Sequence, residues 1–255
     1  TDGGNTWTQF SYWYLDPSSI NYIHADQHDI QFLPNTDYAA VWATDGGLSY
    51  STNTNANTPT FQTKNTGYNV TQFYGGGIAA EAGSNNMLAG AQDNGTHKFG
   101  TAGENSTTEV TGGDGAYTHI DATDSNFQIS AYVYNNYWYT TNNWASSTQV
   151  FYSDYGLFIN PTDFDDESNI LYTAGSSGYM TRISGFPSSY SIGNFNISAL
   201  KNGQITAVKT DPNIINRVWV NSKNGTGSWQ EILKIDNANA ATLEGMSITA
   251  YPVTN

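Results

Sequence analysis

A short stretch of the chain, IHADQHDIQF (23–32), concentrates side chains that could bind a ligand, hold a metal ion or transfer protons. His24, Asp26 and His28 alternate within it, although the whole chain contains only 4 histidines. If the stretch is extended, these three side chains share one face and the outer two lie about 13 Å apart. Because imidazole–zinc bonds are only about 2.1 Å long, such a strand does not easily place all three around one ion. The stretch therefore favours a polar ligand-binding surface, with a bound divalent metal as the less favoured alternative and no cofactor required.

The elements that must position these side chains are short strands, since runs rich in Val, Ile, Tyr and Trp recur between Gly, Asn and Asp turns. The unit returns about every 40 to 50 residues, a period typical of propeller blades, and each unit has room for four strands and no helix. The sequence therefore predicts an all-β fold, a β-propeller of four-stranded antiparallel blades, with a β-sandwich as the alternative. The first strand of each blade is expected near residues 28–33, 73–80, 116–122, 157–161 and 204–210.

Blade geometry would gather polar residues at one end of the propeller channel. The first strand of a blade begins at that end, and the turn between the second and third strands, here called the second turn, lies at the same end. The residues expected to form binding groups at this channel mouth are His24, Asp26, His28, Gln92, Asp93, Asn94 and Asp114. Asp45 lies in a second turn and joins them. Asp-Gly and Asn-Gly pairs also form tight turns without any ligand, which is the stronger explanation for Asp45, Asp93 and Asn94 taken singly. The turn at Asn94 also predicts a positive φ at Gly95.

The motif TDGGNTW resembles the Asp-box, the hairpin motif of BNR-type repeat propellers, with Asp2, Gly4, Thr6 and Trp7 on its last four fixed positions. The strings VTQFYGGGIA, AGAQDNGT and VTGGDGAYTHID resemble, in the same order, secreted bacterial propeller proteins of the sortilin and xyloglucanase-like kind. The resemblance implies one β-propeller domain over residues 1–255, seven-bladed or a partial ring, with about five recognisable blades and partial blades at both ends. With the Asn- and Thr-rich composition, it also implies an extracellular or cell-surface bacterial protein and a chain that belongs to a longer polypeptide.

Two functions stay open on the sequence. The favoured one is a binding or scaffold module that presents its polar channel mouth to a glycan or a cell-surface protein. The alternative is a glycoside hydrolase that resembles xyloglucanase-type propellers and draws its carboxylate pair from Asp26, Asp93 and Asp114. Sialidase chemistry is disfavoured, because only Arg182 and Arg217 are available to pair with a substrate carboxylate.

Charge and hydropathy exclude further classes of partner. The chain has 22 Asp and Glu against 8 Lys and Arg, and its net charge of -14 repels nucleic acids and anionic membranes. No apolar run approaches the roughly 20 residues of a membrane-spanning helix. His97 and His119 are interpreted as structural histidines, and the acidic run 163–167 as a solvated loop between strands rather than a calcium site.

Overall fold

The computed structural model describes residues 3–36, 38–68, 71–103, 107–223 and 229–253. Asp2 of the Asp-box-like motif lies outside these ranges. Over the described ranges, 20 strands form five four-stranded antiparallel sheets, accompanied by two short 3-10 helices, Ser198–Leu200 and Leu243–Gly245. Neither of these helices is long and apolar enough to cross a membrane. The chain divides into two compact units, Thr1–Thr71 and Gln72–Asn255.

Each sheet is a meander in which every strand pairs with the next one along the chain. The first unit holds sheet 1, made of β1 (Gln27–Phe32), β2 (Ala40–Thr44), β3 (Gly47–Ser51) and β4 (Gln62–Thr63). The second unit holds four sheets. Sheet 2 comprises β5 (Phe73–Ile78), β6 (Met87–Ala91), β7 (Gly95–Phe99) and β8 (Thr108–Thr111), and sheet 3 comprises β9 (Thr118–Ile120), β10 (Gln128–Ala131), β11 (Asn135–Thr140) and β12 (Thr148–Ser153). Sheet 4 comprises β13 (Thr162–Asp165), β14 (Ile170–Ala174), β15 (Tyr179–Ser184) and β16 (Ser191–Asn196), and sheet 5 comprises β17 (Gln204–Thr210), β18 (Val218–Lys223), β19 (Trp229–Asp236) and β20 (Ser247–Pro252).

The predicted all-β fold of four-stranded antiparallel blades is confirmed. Runs of β-branched and aromatic residues form the strands, because such side chains fit a pleated, half-buried surface. The first strands expected near 28–33, 73–80, 116–122 and 204–210 correspond to β1, β5, β9 and β17. The count of seven blades stays a prediction.

The first strand of the fourth sheet begins later than the sequence predicts. The apolar run 157–161 is not a strand: the N–H of Leu157 donates to Asn160 Oδ1 at 2.9 Å, which closes a turn. The strand is the acidic TDFD of β13, whose four residues are all buried. The interpretation of 163–167 as a solvated loop is therefore wrong for residues 163–165, and only the residues after Asp165 form a turn. Sequence hydropathy misled here because buried carboxylates in this strand are satisfied by the neighbouring sheet.

Aromatic and aliphatic side chains fill the cores of both units. In the first unit, Trp42 meets Phe61 edge to face, with ring centroids 5.2 Å apart. In the second unit, Phe127 of sheet 3 stacks on Phe164 of sheet 4 at 5.5 Å. The largest cluster joins sheets 4 and 5 and includes Tyr172, Met180, Leu200, Leu233 and Ile235. Burial of each such side chain contributes about 1.5–3 kcal/mol, so the contacts between sheets hold the second unit together.

A repeated backbone contact joins neighbouring sheets of the second unit. We use lead-in for the residues just before the first strand of a sheet, and junction bond for a hydrogen bond from an N–H in or next to the second turn of one sheet to a carbonyl in the next lead-in. The junction bonds run from Gly95 N–H to Gly113 O at 2.6 Å, from Tyr134 N–H to Phe158 O at 3.0 Å, and from Gly178 N–H to Gly203 O at 2.9 Å. Each bond satisfies backbone groups that no strand pairing reaches.

Side chains of the lead-ins, and in one case of the first residue of the following strand, reinforce the same three junctions. Asp114 Oδ1 accepts the N–H of Asp93 at 3.1 Å, Asn160 Nδ2 donates to Asn135 Oδ1 at 3.1 Å, and Gln204 Nε2 donates to Gly175 O at 3.3 Å. Asn160 is fully buried and also donates to Thr173 Oγ1 at 2.8 Å and to Ala174 O at 2.9 Å. A polar residue in a lead-in is thus explained by contact between sheets, before any ligand is considered.

Gly95 combines two conformational demands at the first of these junctions. Its φ is +75°, as the DNG sequence predicts. A Cβ atom there would also come within 2.3 Å of the carbonyl oxygen of Thr111. Only glycine meets both demands without moving the adjacent strand.

Candidate functional site

In the first unit, the histidine-rich stretch bends at its centre. The φ of Asp26 is +54°, in the left-handed region, and β1 begins at the following residue. The extended arrangement with His24, Asp26 and His28 on one strand face is therefore wrong. His24 instead lies against the second turn, since a Cβ atom at Gly46 would come within 2.4 Å of its ring.

The bend brings Asp26 close to the second turn of the same sheet. Carboxylate oxygens of Asp26 and Asp45 lie within 4.8 Å of each other. His28 Nε2–H donates to Asp45 Oδ1, and all three residues are exposed. The convergence of a lead-in with a second turn, which blade geometry predicts, is therefore present in sheet 1. The arrangement offers two neighbouring carboxylates, one of them paired with an imidazole.

In the second unit, the residues predicted to bind a ligand are bonded to one another. Asp114 Oδ1 accepts the N–H of Asp93, as described above, and Asn94 Nδ2 donates to Gln92 O at 2.9 Å. His97 Nε2–H donates to Asn94 O at 2.6 Å, and Nδ1 of the same ring accepts a hydrogen bond from the Thr107 hydroxyl at 2.7 Å. The Asp114 contact holds the second turn of sheet 2 against the lead-in of sheet 3, and the other contacts stabilise the turn itself, which is the role that turn chemistry predicts.

A cavity of about 450 Å³ lies elsewhere in the second unit, along the first strands of sheets 2 to 5. We call it the first-strand cavity. Its polar and aromatic lining comprises Tyr117, His119, Thr162, Asp163, Asp166, Lys209 and Thr210. Gly76 and Gly77 of β5 form another part of the wall without side chains. Sheets 3, 4 and 5 therefore position one group of titratable side chains, and β5 of sheet 2 completes the wall.

Asp163 connects β13 to β17 at this cavity. Lys209 Nζ donates to Asp163 Oδ1 at 2.9 Å, and the N–H and hydroxyl of Thr210 donate to Oδ2 at 2.7 and 2.6 Å. The carboxylate is only 10% exposed, whereas the Lys209 side chain is 73% exposed. Charge-assisted hydrogen bonds of this kind are stronger than bonds between neutral groups. Asp163 is therefore committed to the contact between sheets 4 and 5.

His119 extends the same polar group from β9. Its Nε2 shares a hydrogen bond with Thr162 Oγ1 at 2.8 Å, and its ring lies 6.4 Å from that of Phe164. Burial lowers the pKa of His119 to about 4, an effect that Lys209 reinforces and Asp163 opposes. The imidazole is therefore neutral at pH 7 and can donate one hydrogen bond and accept another.

Asp166 is the second carboxylate of the cavity and lies in the turn after β13. The N–H of Ala122 donates to its Oδ1 at 3.2 Å. Burial, reinforced by the carboxylates of Asp121, Asp163 and Asp165, raises the pKa of Asp166 to about 6 from an ordinary 3.8. A carboxyl group with this pKa, at the edge of a cavity, is typical of a functional position.

Sequence reasoning missed this cavity because its residues stand far apart in the chain and form no motif. His119 was interpreted as structural, and Asp163 and Asp166 as parts of a solvated loop. The available signal was a charged residue inside a first strand: Lys209 interrupts the apolar alternation of β17, and Asp163 that of β13. Such residues mark positions where a charge is compensated by a neighbouring sheet.

The sequence matches no protein-family model and no curated protein. Among solved structures, it is similar in fold to the β-propeller domain of Myceliophteria thermophila Cps50 (Swd1), at 9% identity and a TM-score of 0.51 over 88% of this chain and 70% of that one. It is also similar to YCF48 bound to D1 peptide, at 10% identity and a TM-score of 0.50 over 95% of this chain and 73% of that one. An ancestral GH74 enzyme matches over 96% of this chain at 14% identity and a TM-score of 0.48, and the chain spans 33% of its length. At these identities the likeness concerns the fold alone, which is that of a β-propeller.

Proposed function

We propose that the chain is a binding module that takes a glycan into the first-strand cavity. The observation that carries the proposal is the cavity itself, where an aromatic ring, a neutral imidazole, hydroxyl groups and carboxylates line one space of about 450 Å³. Pockets of this size, with a few converging polar groups, are typical of small-ligand sites.

The chemistry of the lining suits a sugar. Sugars present apolar C–H faces between their hydroxyl groups, and Tyr117 supplies ring surface for such a face. His119 keeps one ring nitrogen outside its bond with Thr162, and the Thr210 hydroxyl, which donates to Asp163, can still accept, so both can bond a hydroxyl group on the ligand. The net charge of -14 disfavours polyanionic glycans. A neutral or cationic saccharide is the ligand class that fits.

Composition and motifs support the setting of this function. The Asn- and Thr-rich chain has few lysines, and TDGGNTW matches the last four fixed positions of an Asp-box. We therefore include in the proposal a secreted or cell-surface location, a bacterial source and a degenerate set of Asp-box repeats. A cell-surface protein is the other partner that the channel mouth suggests.

The test is a glycan array followed by calorimetric titration of the strongest oligosaccharide. His119→Ala should weaken binding at least tenfold, because it removes a donor and acceptor from the cavity. His97→Ala is the matched control, since His97 is bonded within the second turn of sheet 2 and does not line the cavity. Circular dichroism would verify that both variants fold. An array without any bound glycan, or equal binding by the two variants, would refute the proposal.

A glycoside hydrolase is the second candidate, and the Asp26–Asp45 pair favours it. Retaining glycosidases hold their two carboxyl groups about 5–5.5 Å apart, and these carboxylate oxygens lie within 4.8 Å. Asp45 joins the carboxylates that the sequence proposes for this chemistry, Asp26, Asp93 and Asp114, as a further candidate. Reducing-sugar release from soluble polysaccharides should then disappear in Asp45→Asn and persist in His119→Ala. Release that survives Asp45→Asn would exclude this pair.

A further inference from the structure

The first-strand cavity contains a carboxylate that the protein itself leaves without a cation. None of the ion pairs among the described residues includes Asp166. Its one hydrogen bond in this part of the chain is the long one from Ala122 N–H. A half-buried carboxylate in such surroundings destabilises the fold, which is why its pKa lies at about 6. A neutral Asn or Ser at this turn would avoid that cost.

The neighbouring carboxylates are different, because each is satisfied by donors from the protein. Asp121 Oδ1 accepts hydrogen bonds from residues 123–124, and Asp163 accepts them from residues 209–210. Asp165 accepts two backbone N–H groups. These three groups surround Asp166 with negative charge, but donors of the protein already bind them, and Asp121 and Asp165 do not line the cavity where a ligand cation would enter. Asp166 is the carboxylate of this group that is open to one.

We infer that the cavity binds its glycan through an ammonium group, that of an amino sugar, placed against Asp166. The inference rests on the proposed function and specifies the substrate class of the same site. The cavity defines the site, and the charges of its lining decide what it attracts. Lys209 is held by Asp163 and His119 is neutral at pH 7, so the two carboxylates and one ammonium leave a net charge of about -1.

A lysine or arginine side chain of a protein would carry the same charge, but the remaining lining favours a sugar. The second ring nitrogen of His119 and the hydroxyl oxygens of Thr162 and Thr210 line the same cavity and keep capacity for a hydrogen bond with a ligand hydroxyl group. Several such groups around one charge suit a ring that carries hydroxyls beside its amine. A lysine side chain would place only methylene groups against them.

The experiment compares three hexasaccharides at pH 6.5 and moderate salt by calorimetry: β-1,4-linked glucosamine, its N-acetylated form and cellohexaose. The pKa of Asp166 stands at about 6 against an ordinary 3.8, and a cation that restores half of this difference strengthens binding about tenfold. We therefore expect the glucosamine hexamer to bind at least tenfold more tightly than the two neutral hexamers. Asp166→Asn should remove this preference, so that the three hexasaccharides bind the variant with similar affinity.

Two controls address attraction to the acidic surface. Asp124→Asn removes an exposed carboxylate that does not line the cavity and should retain the preference. Hexalysine carries the charge without the sugar ring, and its binding should not depend on Asp166. Equal binding of the three hexasaccharides, or a preference that survives Asp166→Asn, would overturn the ammonium assignment and leave the glycan site standing. Hexalysine binding lost in Asp166→Asn would assign the site to a peptide, and no binding by any hexasaccharide would overturn both proposals.

Discussion

His119 gives the sharpest test of the first-strand cavity, through the pH dependence of stability. Its pKa is about 4 in the folded chain, against an ordinary 6.5, chiefly because the ring is buried. Above pH 6.5 neither the folded nor the unfolded state binds the proton, so the residue has no effect on the pH dependence there. As the pH falls from 6.5 to 4, the His119 imidazole binds a proton in the unfolded state but not in the folded state. The free energy of unfolding therefore decreases over this window and is constant below it.

The size of this effect follows from the two pKa values. A difference of one pKa value corresponds to 1.36 kcal/mol, so the full effect is about 3 kcal/mol. His119 as a whole residue keeps some exposure to water, which reduces the expectation to about 2 kcal/mol. His119→Gln keeps a polar side chain that can bond to Thr162 and cannot titrate. The stability of the wild type relative to this variant should fall by about 2 kcal/mol between pH 7 and pH 4.

Urea unfolding monitored by tryptophan fluorescence, at several pH values in this window, measures the difference. Repeating the series at about 0.5 M NaCl separates burial, which salt does not screen, from the charge of Lys209, which it does. The difference in free energy of unfolding between the wild type and His119→Gln could instead stay constant within about 0.5 kcal/mol from pH 7 to pH 4. That result would show that the imidazole is hydrated, and the described cavity lining would then be wrong.

Three further predictions concern stability. Asp166→Asn should raise the free energy of unfolding by about 1 kcal/mol at pH 7.5 and lose this gain near pH 4, where the carboxyl group becomes protonated in both the folded and the unfolded state. Denaturant titrations at the two pH values measure the effect, and an unchanged stability at pH 7.5 would contradict the raised pKa. Asn160→Ala should lower the free energy of unfolding by about 3 kcal/mol, because its buried partners lose their hydrogen bonds. Asn126→Ala, at an exposed position, is the control and should change the urea midpoint little. Equal effects of the two variants would argue against the buried network. Gly95→Ala should lower the free energy of unfolding by at least 2 kcal/mol more than Gly83→Ala. Both glycines have positive φ, but only Gly95 lies against a carbonyl oxygen. Similar melting temperatures of the two variants would refute this close approach.

The sequence predicted the repeat and its turns well, because both follow from local chemistry. Alternating strands separated by DGG and DNG turns determine where hairpins form. The same patterns correctly predicted β17 at residues 204–210 and positive φ at Gly95. The first strand of sheet 4 was misplaced because hydropathy favoured LFIN over TDFD. Burial of Asp163 depends on donors 46 and 47 residues later in the chain, and no local pattern contains that information.

The candidate site was predicted in part, and for a physical reason. Blade geometry correctly suggested that lead-ins and second turns converge, and the Asp26–Asp45 and Asp93–Asp114 contacts are examples. It could not show that Asp114 bonds a backbone amide. The first-strand cavity depends on which way each side chain of four separate strands points, and register of this kind is settled only by the packed structure.

Because of the junction bonds, sheets 2, 3 and 4 each need the following sheet to complete their backbone hydrogen bonds. Stability in such a chain is a sum of terms for single repeats and terms for adjacent pairs, so opening spreads from one junction to the next. The first-strand cavity takes its wall from four successive sheets, and separation at any of the three junctions would divide it. A ligand that bridges these strands therefore binds the closed form alone and protects the junction amides from hydrogen exchange. Ligand binding and the opening of the junctions between sheets are therefore coupled: each ligand that binds shifts the equilibrium toward the closed sheets.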